Sequence, residues 1–450
     1  MGTVVETETV TSARREQLLA SLTGWMPWVG KGSLAILDQG LFAGSNFLLN
    51  VLLARWLEPA DYGAFALAYS VFLLLGVFHT AILTEPMLVF GPGKYRERLP
   101  EYLGILLRGH FALMLPGAAL LTGAAFLLGW LYSPAVERAF LALAIAGPFI
   151  LLLWLLRRAF YVRLNPGWAA AGGGVYLLIL LASILTLRTA GRLTPATGFL
   201  AMAAASLITC LILVALLRPK VMTNSSAIRA VAADHWRYGR WSVATAGISW
   251  LPSNVYYLLL PNWFGLEGAG AFRALMNLAM PVLHSIGALS GILLPVLVRN
   301  RNESGIQGMA KTMRSFLALF LFGSMLYLIV FWGLRSELFR LLYGGKYQEY
   351  TFLPVLLVGL LPFGSSLVAV LGSSLRALER PEWIFWGYVG SGVVTLLVGI
   401  PLAAAGGVSG GLLGLLFSYL VAAALMFWFY RKSPRGQPAP GTAEALPSKA

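Results

Sequence analysis

The sequence predicts an all-α polytopic membrane protein, with twelve transmembrane helices in two pseudo-symmetric six-helix lobes. Three observations predict it. The composition is too poor in charge to coat a soluble domain, twelve apolar stretches have membrane-spanning length, and an internal repeat pairs the first six with the last six. Of 450 residues, 58% are hydrophobic and 11% charged, against about 45–50% and about 25% in soluble domains. This excludes a soluble enzyme, a disordered chain and a coiled coil. Cys210 is the only cysteine and lies in an apolar run, so no intramolecular disulfide or cysteine-based zinc site is available. The formal net charge of +15 fits loops lying on anionic lipid rather than nucleic-acid binding.

A spanning helix needs about 20 mostly apolar residues. In the first half such stretches run over Ser33–Ala54, Tyr62–Thr84, Tyr102–Leu131, Phe140–Tyr161, Ala169–Leu187 and Gly198–Leu217. In the second they run over Trp241–Leu260, Ala269–Leu297, Ser315–Gly333, Thr351–Leu375, Ile384–Ala405 and Val408–Tyr430. The third is long enough to tilt or kink near Pro116. The last two are parted only by a turn containing Gly406, Gly407, Gly410 and Gly411, which must fold the chain back. With the N-terminus cytoplasmic, 24 Lys and Arg residues fall on inner segments, Arg157 and Arg158 among them, against 7 outside. This bias predicts a membrane protein with both termini cytoplasmic. The predicted organisation is a cytoplasmic segment 1–32, an N-lobe 33–217, a cytoplasmic inter-lobe loop 218–240, a C-lobe 241–430 and a disordered tail 431–450. The opening residues carry Glu6 and Glu8 and do not read as a signal peptide. Gln17 to Trp28 reads as a short interfacial helix.

The repeat is carried by "RWLEPADYGAF" (Arg55–Phe65) against "NWFGLEGAGAF" (Asn262–Phe272). Leu131–Tyr132 against Leu342–Tyr343, and "NPGW" against "RPEW", follow in the same order. Six spans per repeat make the halves parallel, and lobes so related commonly enclose a midplane site.

Polar side chains in spans indicate where that site lies. Gln39, Asn46 and Asn50 form one stripe on the first span, and three large amides on one face read as cavity lining. Span seven carries Thr245, Ser249, Ser253 and Tyr256, which read as helix–helix hydrogen bonding. Span two carries Tyr62, Phe65, Tyr69, Phe72 and His79; packing is the first reading of this stripe and a sugar platform at Tyr69 the second. Span eight carries Arg273, Asn277 and His284. An arginine inside a span is costly, which favours a cavity role for Arg273 over snorkelling; for Arg108 the two are nearly balanced. Asp38 and Glu85 lie near inner span ends, open to three roles: solvated boundary charges, partners of Arg108, or titrating groups coupling transport to H+ or Na+. No metal-ligand cluster, Walker loop or nucleophile elbow occurs, so neither a cofactor nor catalysis is expected.

The first loop also carries a family likeness. "LARWLEPADYGAFAL" (Leu53–Leu67), "LYGGKYQEYTFLPVLLVGLLPF" and "LRALERPEW" resemble segments of bacterial polysaccharide exporters. These are the Wzx-type oligosaccharide flippases of the multidrug/oligosaccharidyl-lipid/polysaccharide superfamily, which includes the MATE-like folds. The resemblance implies twelve helices in two lobes, the bacterial cytoplasmic (inner) membrane, and export of a polyprenyl-diphosphate-linked oligosaccharide for O-antigen, capsule or exopolysaccharide synthesis. A polysaccharide polymerase and a chain-length regulator are the implied partners besides membrane lipid. On this reading Arg273, Asn277, His284, Arg108, Gln39, Asn46, Asn50 and Tyr69 bind substrate, and Asp38 or Glu85 couples it to an ion. The alternatives are a drug/cation antiporter of the same superfamily and a membrane glycan polymerase or ligase.

Overall fold

The structure, a computed structural model, describes residues 33–432, with the side chain of Trp241 excepted. The interfacial helix expected at Gln17–Trp28 and the tail beyond Lys432 lie outside the described residues. The chain divides into two compact units, the first ending at Ala246 and the second beginning at Gly247. The described residues are almost entirely helical.

The first unit contains α1 (Ser33–Trp56), α2 (Pro59–Phe90), α3 (Leu99–Leu131), α4 (Pro134–Val162), α5 (Pro166–Thr189) and α6 (Pro195–Leu217). Four of these open on proline, whose missing N–H is unneeded in the first turn and whose φ suits a helix. Thr194 adds a capping box to α6: its Oγ1 accepts from the N–H of Thr197 at 3.1 Å, and the Thr197 Oγ1 accepts from the N–H of Thr194 at 2.8 Å. α3 runs unbroken through Pro116, where a kink was one expectation. α4 packs against α2, α3, α5 and α6 and buries residues all round, as expected for the central helix of a membrane bundle.

The segment 218–240, expected to be a loop, is helical from Ser225 onward. Asn224 starts this helix, its Oδ1 accepting from the N–H of Ser226 at 2.9 Å. The helix, α7 (225–263), continues across the boundary between units. In the second unit Phe264–Gly265, with φ 67° at Gly265, separates α7 from α8 (266–304). Gly305, φ 64°, separates α8 from α9 (306–333). The short α10 (Arg335–Tyr343) and α11 (Leu353–Ala377) follow. Gly407, φ 58°, separates α12 (381–406) from α13 (408–432). A side chain at Gly410 would collide with the Leu402 carbonyl, so the predicted glycine turn brings the two helices into backbone contact. Among the described residues nine continuous apolar segments thus become twelve spans, because glycine breaks cut the segment Ser242–Gly333 into three and Pro381–Lys432 into two. The breaks at Leu57–Glu58 and Phe264–Gly265 fall at aligned positions of the two repeat motifs.

Among the described residues each unit carries one π-helical turn, Thr80–Thr84 in α2 and Thr395–Gly399 in α12. Both are followed by one residue and then a proline, Glu85–Pro86 and Ile400–Pro401. Proline offers no N–H and its ring presses on the carbonyl four residues earlier, so the preceding turn opens to i→i+5 bonding.

Candidate functional site

In the first unit the polar residues of α1 meet α4. Asp38 is buried and paired with Arg157, also buried. Arg157 Nη2 and Nε donate to Asp38 Oδ1 at 2.5 and 3.0 Å, and Nη2 also donates to the Asp38 carbonyl at 3.1 Å. Tyr161 Oη donates to Asp38 Oδ2 at 2.7 Å, and Gln39 Nε2 reaches the same oxygen at 3.3 Å. The guanidinium carbon lies 4.1 Å from the Phe42 ring centroid. Both carboxylate oxygens are thus engaged, which is how a buried pair offsets its desolvation.

This changes three expectations. Asp38 is not the partner of Arg108. Arg157, counted among the inner charges, belongs to a buried ion pair, while its neighbour Arg158 rests near the Tyr161 ring. Arg108 is exposed and donates to the Met222 carbonyl, so it anchors the segment before α7 instead of lining a cavity. Glu85 is exposed on the last segment of α2.

The amide stripe is only partly open. Gln39 is exposed, Asn46 half-buried and Asn50 buried. Asn46 and Asn50 give amide hydrogens to carbonyls one turn back, of Phe42 at 3.2 Å and Asn46 at 2.8 Å. Tyr62 Oη donates to Asn50 Oδ1 at 3.4 Å. The aromatic stripe is packing in this conformation. Tyr69 is 4% exposed, between Phe65 at 5.5 Å and Phe72 at 5.6 Å, and Phe65 stacks on Phe199 at 4.6 Å. A sugar has no open face of Tyr69 to lie on.

A cluster that sequence reasoning did not find joins the start of α7 to α2 and α3. Asp234 is buried and accepts from Lys94 Nζ at 2.5 Å, Tyr95 Oη at 2.6 Å and Arg237 Nη2 at 3.1 Å. His235 Nδ1 donates to the Ile82 carbonyl at 2.9 Å, which fixes Nε2 as acceptor from Tyr102 Oη at 2.7 Å. Pro86 explains why Ile82 is available, since it supplies no N–H for that carbonyl. Gly239 lies against Ala81, where a Cβ would come within 2.7 Å of the carbonyl oxygen. Asp234, His235 and Gly239 in a basic stretch were the available signal, but apart from Arg237 their partners lie over a hundred positions away.

Burial lowers the basicity of His235, against the opposing pull of the Ile82 bond and the Asp234 charge, and the net shift is downward. Burial raises the Asp234 carboxyl, but bonds from Lys94 and Tyr95 and the charges of Lys94 and Arg237 outweigh it and hold it low. A base kept neutral by the fold contributes stability above its unfolded pKa of about 6.5 and loses it as pH falls toward the folded value. The Asp234 contribution is present above about 3.9 and is lost only as pH falls through its lower folded value. Acidification from neutrality therefore loosens the docked helix first through His235. Amide exchange over 225–240, corrected for intrinsic rate, is expected to rise below about pH 6.5, and His235→Gln removes that step. An unchanged pH profile in His235→Gln would assign the effect elsewhere.

In the second unit Arg273 is 5% exposed, its guanidinium carbon 5.7 Å from the centroid of the buried Tyr257 ring. It does not snorkel in this conformation. Asn277, one turn on, is buried, and His284 is exposed. Among the described residues of this unit Arg273 is the one buried charged side chain, and every buried polar companion is neutral. Tyr256, on the span-seven stripe, inserts its hydroxyl between Gly399 and Gly414, where any Cβ would collide with it. Thr395 and Ser418 hydrogen bond nearby at 2.8 Å. Separately, α9, α11 and α13 border an open apolar cavity of about 330 Å³, lined by Met313, Leu317, Val370, Leu371, Ala423 and Phe427 among others. It contains none of the polar residues above. Among the described residues no three His, Cys, Asp or Glu side chains come together to hold a metal ion.

No family model matches the sequence, and no curated protein matches it. Solved structures do. An inward-facing multidrug resistance MATE family transporter of the MOP superfamily matches with a TM-score of 0.73 and 13% identity, over 88% of this chain and 97% of that one. The lipid II flippase MurJ in an inward closed conformation matches at 0.71 and 12%, over 90% and 88%. A MOP superfamily transporter from Pyrococcus furiosus matches at 0.65 and 11%, over 90% and 95%. The chain is a multi-pass membrane protein with the twelve-helix fold of MOP superfamily transporters.

Proposed function

We propose that this chain is a carrier that flips an anionic, lipid-linked oligosaccharide across the bacterial cytoplasmic membrane by alternating access, driven by a coupled ion. The observation that carries this reading is the sign of the charge buried in the second unit. Arg273 places a guanidinium there, and among the described residues of that unit no carboxylate is buried. A guanidinium offers a planar fork to diphosphate or an acidic sugar, and a polyprenyl diphosphate glycan presents such an anion. Asn277 supplies a neutral polar neighbour, and the apolar cavity between α9, α11 and α13 has the chemistry for part of a lipid tail. Transport needs no nucleophile or metal, since no covalent bond changes.

The drug/cation antiporter reading has its own observation, the buried carboxylate of Asp38. Two donors of Arg157 already neutralise that carboxylate, so it offers a cation less than an unpaired acid would. Asp38 enters the proposal as the lock between α1 and α4, with Gln39 as the exposed edge of that lock. The test is purified protein in vesicles with two fluorescent cargoes, a polyprenyl-diphosphate disaccharide and a hydrophobic cation. Scrambling of the first and not the second is expected; the reverse result would establish the antiporter.

Orientation follows from the basic bias, even with Arg157 removed from it. Cysteines at Lys94 and Arg229 in a Cys210→Ala background are expected to resist an impermeant thiol reagent in intact cells, while one at Lys346 reacts. Labelling at Arg229 from outside would invert the proposed topology.

A further inference from the structure

His79 and His110 have no part in the reading above. His79 is the last α-helical residue before the π turn of α2, and His110 lies on α3. Both are fully buried. Their rings stand nearly perpendicular with centroids 5.1 Å apart, and His79 Nε2 is 2.9 Å from His110 Nδ1. Two neutral imidazoles in this contact share one hydrogen bond, one ring donating N–H and the other accepting with a lone pair. Whichever ring donates, one of the two outer nitrogens carries a hydrogen and the other is bare. Those outer atoms, His79 Nδ1 and His110 Nε2, are buried without a hydrogen-bond partner, as is Thr84 Oγ1 in the adjoining π turn. The Pro148 carbonyl on α4 faces the His110 ring without meeting hydrogen-bond geometry. A purely structural pair would be expected to have such positions filled.

The acidic and basic groups on the elements around the pair are Asp61 and Glu85 on α2, Glu101 and Arg108 on α3, Glu137, Arg138, Arg157 and Arg158 on α4, and Arg229, Asp234, His235, Arg237 and Arg240 on the start of α7. Arg108, Arg157, Asp234 and His235 are engaged with Met222, Asp38, Lys94 and Tyr102 respectively. Glu85 is exposed. None of these groups forms a hydrogen bond to either ring.

We propose that the His79–His110 pair is a proton-binding site of the carrier, taking up one proton per protein. The incoming proton adds to the bare outer nitrogen. That ring becomes an imidazolium, and its inner N–H then makes a charge-assisted bond to the other, neutral ring. A second proton would set two like charges in direct contact, so the pair stops at one. In the described conformation both rings are sealed, and loading requires α2 or α3 to move. The means lies next to His79. Converting the π turn to α-helix shifts the register by one residue and turns His79 by about 100° relative to the helix beyond. The other side of that turn is held by His235 on Ile82 and by Gly239 against Ala81. A proton on the pair would thus bear on the same backbone to which the start of α7 is docked. Its use in driving transport rests on the carrier reading above; the binding itself does not.

The test is ¹⁵N imidazole NMR on the full-length protein, histidine-labelled, in nanodiscs of phosphatidylethanolamine and phosphatidylglycerol without any substrate. The chain has four histidines, and His79→Gln and His110→Gln assign the pair. Between about pH 8 and about pH 5, the imidazole range, the two rings are expected to change together in one step worth one proton. Either substitution abolishes the shared step and leaves the remaining ring titrating alone or neutral. Two rings that stay neutral throughout in the parent, or that titrate in two independent steps, would overturn the assignment. Because no cargo is present, failure of the glycan-flipping reading in the vesicle assay would leave this result untouched.

Discussion

Removing Asp38 is expected to destabilise the protein more than removing Arg157, although the two form one ion pair. Breaking a buried pair costs about 3–5 kcal/mol, because the surviving partner is left charged in a medium that cannot solvate it. The two survivors differ. In Arg157→Met, the Asp38 carboxyl keeps Tyr161 and Gln39 as donors and can take a proton to become neutral. In Asp38→Leu, Arg157 keeps the Phe42 ring and a backbone carbonyl, but a guanidinium does not give up its proton. Its charge stays buried. The double variant Asp38→Leu/Arg157→Met removes both charges and is expected to recover most of the loss, since apolar replacements of buried pairs are often near neutral. Thermal unfolding in nanodiscs reads the order directly: parent and double variant highest, Arg157→Met lower, Asp38→Leu lowest. If the two single variants unfold together, or the double variant is as unstable as Asp38→Leu, the pair is not an isolated buried unit. The same series tests its locking role. Once α1 is freed from α4, a cysteine at Gln39 should label faster in the double variant than in the parent, even where stability is equal.

The spans were legible because the signal is one-dimensional. A run of about 20 apolar residues needs no knowledge of its neighbours, and Gly265, Gly305 and Gly407 mark the chain reversals that part adjacent runs. The pairings were not legible. Arg157 and Arg158 are adjacent and chemically alike, yet a rotation of about 100° between them puts one in a buried ion pair and the other over the half-buried Tyr161 ring. Asp38 needed a counter-charge, and sequence offered Arg108, which lies closer along the chain but reaches out to Met222 instead. His79 and His110 showed no ligand spacing because their contact joins two helices. Tyr69 shows the limit of periodicity: it fixes a face of α2, not whether that face meets α4 and α6 or a cavity. The linker helix was hidden for a different reason. Its charges suggested a solvated loop, whereas Asp234 and His235 are the buried anchors of a helix.

Arg273→Ala is expected to abolish cargo movement at normal protein level, with Arg273→Lys intermediate. The side chain is buried against Tyr257 in this conformation, so two explanations compete: a guanidinium stored for an anionic cargo, and a cation that holds α8 to α7. Lysine separates them. It keeps the charge but loses the planar fork that binds a diphosphate through two parallel N–H bonds. Loss of one charge-assisted bond from such a fork is worth about 1.5–3 kcal/mol, roughly a ten- to hundredfold fall in affinity. A ring-packing role would instead be met by an apolar residue. Arg273→Met should then keep the folded protein and restore activity, since Met packs well on aromatic edges. Initial scrambling rates of the fluorescent polyprenyl-diphosphate disaccharide, set beside unfolding temperatures for Ala, Lys and Met variants, distinguish the two. If Arg273 serves the anion, activity falls in the order Arg, Lys, then Met and Ala together, while stability follows a different order. If Met retains parental activity, Arg273 is packing, and the charge sign that supports an anionic cargo loses its weight.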